Sequence, residues 1–322
     1  MIIDDRSKGI GGSDAAAICR QSNFRDPVDV YKEKIGEGKE VKESNLMLYG
    51  RLHEAGMLDY YQMKSGNSLK IQPEWIKQVK RLCNDPLSES LNVSKYEFLF
   101  FHPKYDFFYC HADGITSCGK ILVEAKLVTY PVMTEWREVR GDGYDSKESV
   151  PLQYYYQVQF NMMVSGCTEA HLVVWLPREE KYRIYKFQRD TTFIIDMRSK
   201  LKSFWQQNVI PKVPPAPLTR EEVIKLTPEH HAAKYLEAGS DQILWCKELA
   251  DLKEDIKKLK QREKNLVDSL ACSLEHAEGL KVTTGENGLS NVITLATFKS
   301  RKSKNSGGTR MFKLNKKGVN NV

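Results

Sequence analysis

The sequence has little that would hold it in a membrane or in an oxidising compartment. Across 322 residues, no apolar run approaches the ~20 needed to cross a bilayer. The opening Met1-Ile2-Ile3-Asp4-Asp5-Arg6 lacks the basic-then-apolar pattern of a secretory signal. A cytoplasmic location is therefore expected, with no membrane partner. The seven cysteines are odd in number and form no CxxC pair. Cys110, His111 and Cys118 lie close together, but at a spacing that fits no common zinc pattern. Reduced, mostly structural thiols are expected. One stretch lacks acid altogether: Lys299 to Lys317 carries eight Lys or Arg and no Asp or Glu, in a chain of net charge +7. Such a tail suits a polyanion, because Lys and Arg contacts to phosphates give sequence-independent affinity. It equally suits a solvated terminus.

What is present is ordinary for a folded chain. The hydrophobic fraction of 41% allows a sizeable core. The length predicts one large domain with a smaller one, or two domains. Ser13-Asp14-Ala15-Ala16-Ala17-Ile18 follows a double glycine and reads as a capped helix start. Pro27–Ile35 and Leu46–Lys64 read as further helices, the second with Leu48, Leu52, Ala55, Leu58 and Met63 near one side. Then the character changes. Residues 97–101, 107–111 and 120–126 are short aromatic or β-branched runs separated by turn residues, a strand meander. Residues 151–165 read as a helix ending at Gly166, 170–176 and 182–187 as strands, and 191–208 as a long helix. Strands flanked by helices in this order predict an α/β fold with a mixed sheet.

Val213-Pro214-Pro215-Ala216-Pro217 is a stiff segment and a natural boundary. Domains are accordingly expected at 1–212 and 218–322. In the second, Trp245, Leu249, Leu252, Ile256 and Leu259 are spaced four, three, four, three. Leu266 and Leu270 continue the register across Glu263. This is a heptad stripe on a helix over about 241–277. It fits a helical hairpin arm, a short coiled coil, or an amphipathic helix packed on its own domain. Residues 280–298 read as a small strand pair ahead of the basic tail.

The residues that point to chemistry begin with Asp113-Gly114 at the end of one strand and Glu124-Ala125-Lys126 on the next. Two apart on a strand, Glu124 and Lys126 leave the same face. Ala125 points the other way, and its carbonyl is free to lean toward the acids. Two carboxylates and a carbonyl make a hard oxygen site of the kind Mg2+ prefers. Lys126 is no ligand; it suits orienting a water, helping its deprotonation, or stabilising charge on phosphorus. An edge strand with a same-face Glu/Lys pair gives the same pattern, so other segments must add weight. Arg6 and Ser13 flank a glycine pair at a helix start, an anion-site arrangement that is also an ordinary Ser cap. Glu54, on the third helix, is placed to approach the acids or to sit in solvent. Tyr154 and Gln157, three apart on one helix face, suit bracketing a phosphate or a base. His111, just before Ala112-Asp113, can donate to a phosphate or end a strand without a task.

These segments in order — GGSDAAAI, YGRLHE, ADGI, VEAK and PLQYYYQVQFNMMVSG — resemble the YqaJ-like viral recombinase and bacteriophage lambda exonuclease family of the PD-(D/E)XK nuclease superfamily. The resemblance spans about Arg6 to Asn208. It implies a restriction-endonuclease-like core, a mixed central sheet flanked by helices, with a C-terminal helical or coiled extension beyond it. It implies that Asp113, Glu124 and the Ala125 carbonyl bind metal, with Glu54 completing a second metal position. It implies that Lys126 positions or activates the nucleophilic water and that Gln157 lies beside it. Arg6 and Ser13 match the pocket for a 5′-phosphate. His111 stands in a His-Ala-Asp sequence where the family often has a hydroxyl residue and Pro-Asp. The implied activity is Mg2+-dependent 5′-to-3′ degradation of linear duplex DNA, with Mn2+ as a substitute, leaving 3′ single strands. Implied partners are DNA ends, a single-strand annealing protein and further copies of the chain in a three-membered ring, in a bacterial host carrying a phage or prophage. An endonuclease of the same superfamily, and a DNA-binding recombination scaffold with an inactive nuclease fold, are the competing expectations.

Overall fold

The computed structural model describes residues 6–38, 44–72, 97–128, 136–138, 143–229, 235–274, 277–284, 291–301 and 309–315. The chain divides into two compact units, Met1–His230 and His231–Val322. In the first unit the helices are α1 (Gly12–Ile18), α2 (Pro27–Lys34), α3 (Asn45–Ser65), α4 (Leu152–Ser165), α5 (Thr191–Phe204) and α6 (Arg220–Leu226). Its strands are β1 (Phe98–Phe101), β2 (Tyr109–Ala112), β3 (Gly114–Ile115), β4 (Ile121–Leu127), β5 (Glu169–Leu176) and β6 (Lys181–Gln188). The main sheet has the order β3-β4-β5-β6. β4 and β5 are parallel and the outer pairings antiparallel, so the sheet is mixed and the fold is α/β as expected. α4 lies between β4 and β5 in sequence and serves as their crossover.

The expected meander divides into two sheets. β1 and β2 pair with each other from Phe98↔Ala112 to Phe101↔Tyr109, while β3 pairs only with β4. The break falls at Asp113, between the end of β2 and the start of β3.

The helices form layers on the main sheet. α4 is buried nearly all round. Tyr155, Val158 and Met162 pack with Leu122, Leu172, Val174 and Tyr185 of the sheet. Its other side, Tyr156, Phe160, Met163 and Val164, packs against α1 and α5. At Gly166, φ is 80°, a left-handed C-cap that glycine adopts without a steric penalty. On the opposite sheet face, Met57, Leu58 and Tyr61 of α3 pack with Val123, Ala125 and Val173.

The apolar side of α3 differs from the expected one. Leu52 and Met63 are 65% and 71% exposed, while Met57, Leu58 and Tyr61 are at most 1% exposed. The stripe that meets the sheet is therefore 54-57-58-61, which has helical spacing and places Glu54 at its leading end. At the first helix, Gly11 rather than Ser13 takes the cap position. Asp14 accepts the Gly11 N–H at 3.1 Å, and Ser13 is an exposed residue of the first turn. Asp14 also pairs with Arg25 at 2.9 Å and with buried Lys34 at 2.8 Å, tying α1 to α2.

The Pro-rich segment is not where the first unit ends. α6 follows it and belongs to that unit. Buried Glu222 pairs with Arg20 and accepts the Leu218 N–H at 2.7 Å. Lys225 reaches both Asp26 and Asp29 at 2.6 Å. The boundary thus shifts from residues 213–217 to His230, because a charged side of α6 has its counter-ions on Arg20, just beyond α1, and on Asp26 and Asp29 at the start of α2.

The second unit holds α7 (Ser240–Leu274) and a three-stranded antiparallel sheet, β7 (Gly279–Thr284), β8 (Asn291–Arg301) and β9 (Thr309–Leu314). The expected strand pair is extended by β9, drawn from the basic stretch, so part of that stretch is sheet. Residues 285–290, between the two expected strands, lie outside the described residues. Among the described residues, no helix is long and apolar enough to cross a membrane.

Candidate active site

The break at Asp113 positions its carboxylate. The β3–β4 register ends at Gly114↔Val123, so one residue further Asp113 has left the ladder. Its Oδ2 accepts the Ala125 N–H at 2.8 Å. A residue's N–H and C=O leave a strand on the same edge. The Ala125 carbonyl therefore points toward the Asp113 edge, beyond the end of two-residue β3.

β4 alternates as expected. Val123 and Ala125 face α3, while Leu122 faces α4. Glu124 and Lys126 share Leu122's face. Lys126 Nζ lies 2.6 Å from Glu124 Oε1. Two residues of α4 complete the Glu124 shell: Gln157 Nε2 donates to Oε1, and Asn161 Nδ2 donates to Oε2 at 3.1 Å. Gln157 and Asn161 are four apart, one helical turn, so both reach the same carboxylate. Asn161 carried that signal in the sequence, yet its place in an apolar run, Phe160-Asn161-Met162-Met163, hid it. Its Oδ1 is buried without a hydrogen-bond partner.

Tyr154 is half-buried, its ring 5.0 Å from that of Trp136, and it stands near Lys126. Tyr154 and Gln157 thus share a face, as their spacing predicts. Glu54 enters from α3 on the other side of β4. It lies near enough to Lys126, Glu97 and Glu124 to feel their charges. Glu97 is a further carboxylate that the sequence reading passed over. It precedes β1, one step beyond the Phe98↔Ala112 pair, and its Oε1 is 2.8 Å from His111 Nδ1. His111 is therefore engaged by Glu97 rather than by the Asp113–Glu124 group. The Arg6 backbone forms a short 3-10 turn with Ser7 and Lys8, but its side chain lies outside the described residues. Ser13 follows Gly12, and a Cβ on Gly12 would sit 2.3 Å from Asn161 Oδ1 and 3.2 Å from Gln157 Cγ. Only glycine lets the first turn of α1 lie this close to the two donors on Glu124.

The electrostatics are those of crowded negative charge. Burial raises the Asp113 carboxyl well above its usual range, and the charges of Glu124 and Glu54 add to this against opposition from Lys126 and the Ala125 N–H. Burial also pushes Glu54 up to about 7; Lys126 opposes the shift, and Glu97 and Glu124 reinforce it. For Lys126, burial acts to lower the pKa, but the charges of Glu124 and Asp113 and the bond to Glu124 outweigh it, so the ammonium is held more firmly than in an ordinary lysine. A divalent cation would relieve this crowding, and every free acceptor in the cluster is a hard oxygen. Among the described residues, no group of three or more His, Cys, Asp or Glu side chains is gathered closely enough to hold a metal ion.

A family model described as the YqaJ-like viral recombinase domain matches residues 3–168. A curated relative, the uncharacterized protein YqaJ of Bacillus subtilis strain 168, is 25% identical over 285 residues, covering 85% of this chain and 77% of its own. Among solved structures, this chain is similar to LHK-Exo, an alkaline exonuclease from Laribacter hongkongensis, one crystal structure of which is a complex with dAMP. The identity is 16%, the coverage 65% of this chain and 91% of that one, and the TM-score 0.46. It is also similar to a phage-related exonuclease from Haemophilus somnus 129PT, at 12% identity, 62% and 92% coverage and a TM-score of 0.41. The family model spans more than half of the sequence, and the chain belongs to the YqaJ-like viral recombinase family.

Proposed function

We propose that this protein is a Mg2+-dependent deoxyribonuclease that hydrolyses phosphodiester bonds from the 5′ ends of linear duplex DNA, leaving 3′ single strands for recombination. The observation that carries the reading is the convergence of Asp113, Glu124, Lys126 and Gln157 at one strand edge, with Glu54 approaching from α3. Asp113, Glu124, the Ala125 carbonyl and Glu54 are the residues to hold the metal, with Mn2+ an alternative to Mg2+. When bound, divalent metal lowers the pKa of an attacking water and stabilises the leaving oxygen.

The chain's own side chains have separable tasks. Asp113 fixes the edge of β4 through the Ala125 N–H while keeping its second oxygen available. Glu124 must release one of its present donors to accept a cation, and Lys126 is the mobile one, since Gln157 and Asn161 are anchored on a packed helix. Held as an ammonium, Lys126 supplies positive charge where negative charge develops on phosphorus and orients the water; it is a poor base at neutral pH. Gln157 and Tyr154 flank it and bracket the scissile phosphate.

Arg6 and Ser13 are proposed to receive the 5′-terminal phosphate. Ser13 supports this because its neighbour Gly12 abuts Gln157 and Asn161. His111, which Glu97 holds, is proposed to meet the strand beyond. DNA ends are the partner this reading requires. An annealing protein and a three-membered ring are proposals carried by the family alone.

The test is digestion of linear duplexes bearing 5′-phosphate or 5′-hydroxyl ends, beside covalently closed circular plasmid, with Mg2+ or with EDTA. Mg2+-dependent release of nucleotides from the phosphorylated ends, with the circle left intact, is expected. Cutting of the circle would replace the reading with an endonuclease. Binding without any hydrolysis would replace it with a DNA-binding scaffold.

A further inference from the structure

Within the second unit, nothing among the described residues covers the apolar stripe of the long helix α7. Trp245, Leu249, Leu252, Ile256, Leu259 and Leu266 are 50–63% exposed. Only the C-terminal end is packed, with Leu270 half-buried and Leu274 at 2% exposure. The helix has 35 residues and is therefore roughly 50 Å long. A stripe of that length that its own unit leaves uncovered is a large apolar patch, and such patches mark interaction surfaces.

The charges beside the stripe identify what covers it. With Trp245, Leu252, Leu259 and Leu266 at heptad position d, Leu249, Ile256 and Glu263 fall at a. Position e then holds Lys253 and Lys260, and position g holds Glu248 and Asp255. In a parallel, in-register pair, each g residue meets the e residue five positions further along the other helix. Glu248 then meets Lys253, and Asp255 meets Lys260, twice each by symmetry. In an antiparallel pair, e meets e and g meets g, which would set lysine against lysine along e, while along g only Arg262 could offset the contact of acid with acid. Glu263, the one charged residue in the seam, would in the parallel arrangement pack beside Arg262, at g, of the second copy. Ile256 at a with leucines at d is the combination that favours two strands. Asp255 does have a neighbour on its own helix, Lys258 at 3.8 Å, but both are about two-thirds exposed and the contact is weak.

We propose that α7 pairs with α7 of a second copy of this chain as a parallel, in-register, two-stranded coiled coil over about residues 243–266. The pairing joins two copies of the first unit whatever the reaction they perform, so it does not depend on the reaction proposed above, and it is a different assembly from the three-membered ring.

The test uses the full chain carrying Leu252→Cys, oxidised mildly and run on a denaturing gel. A wild-type chain oxidised in parallel reports the background from native thiols. In a parallel in-register pair, the two substituted positions face each other, and a disulfide-linked dimer well above background is expected. Adding Lys253→Glu with Lys260→Glu, or Glu248→Lys with Asp255→Lys, should each reduce that dimer by roughly tenfold or more. Mixing the two oppositely charged chains should restore it as a heterodimer. No dimer above background would overturn the proposal. So would cross-linking that ignores both charge reversals, which indicates random collision, and so would a native mass showing only monomer at micromolar concentration.

Discussion

Asp113 accepts the backbone N–H of Ala125 at 2.8 Å across the point where β2 gives way to β3. One carboxylate therefore clamps the edge of β4 and, in the proposed reaction, also serves the chemistry. Asp113→Asn preserves an acceptor for that N–H and removes the charge. The folded chain should keep or slightly gain thermal stability, since a carboxyl whose pKa burial has raised is costly to ionise. Nuclease activity should fall by about a thousandfold or more. Mg2+-dependent digestion of linear duplex and a thermal melt in EDTA check the two halves.

Glu54 predicts a pH dependence of stability in metal-free protein. Its carboxyl is pushed up to about 7 from 4.5, with burial the main cause. The folded chain therefore holds a proton that the unfolded chain releases between those values. Stability should fall as pH rises through this window, by on the order of 1–3 kcal/mol, and flatten above it. Glu54→Gln should remove most of the slope. Melting temperatures from pH 4.5 to 8 in EDTA, compared between the two proteins, decide it; equal slopes would refute the placement of Glu54.

In the proposed reaction, Lys126 acts as a fixed positive charge rather than as a titrating base. Lys126→Met should lower the rate by about a hundredfold to a thousandfold. It should leave no missing inflection in the pH–rate curve between about pH 6 and 9, because the ammonium does not titrate there. An inflection present in wild type and absent from Lys126→Met would assign Lys126 the role of base.

Gly12→Ala and Gly56→Ala should differ sharply. At Gly12 the added methyl would meet Asn161 Oδ1 at 2.3 Å and push both donors away from Glu124. A loss of about 1–3 kcal/mol of stability is expected, together with reduced activity. At Gly56, in the middle of α3, nothing lies within 4 Å of the new methyl. Helix propensity then dominates, and Gly56→Ala should be neutral or stabilising by up to about 1 kcal/mol. Parallel urea melts and digestion assays test the contrast.

The first unit should require α6. A chain ending after residue 230 keeps Glu222 on Arg20 and Lys225 on Asp26 and Asp29. A chain ending after residue 217 removes those partners and uncovers the face they share. The shorter chain should melt several degrees lower. Equal melting temperatures would restore the domain boundary to the Pro-rich segment.

Much of the site was legible because its spacing is local. Glu124 and Lys126 alternate onto one face of a strand, and Tyr154 and Gln157 fall on one face of a helix, whatever the rest of the chain does. The stripe on α3 was misjudged because only the sheet decides which side of a weakly amphipathic helix is buried. That decision set Glu54 at the end of the 57-58-61 face and left Leu52 and Met63 in water. Asn161 and Glu97 were missed for the same reason. Asn161 sits in an apolar run and Glu97 at a strand's start, and each gains its meaning from a residue more than ten positions away.

The amino-acid order alone determined the element types, the α/β class, the Asp113…Glu124-x-Lys126 pattern and the heptad stripe, since periodicities of about two and about 3.6 need no partner to be read. Tertiary structure decided which carboxylates meet, that the meander splits at Asp113, and that α6 belongs with the first unit. Those outcomes depend on long-range pairing and burial. Coulomb interactions between buried groups fall off with distance through space, and that distance is absent from a linear sequence.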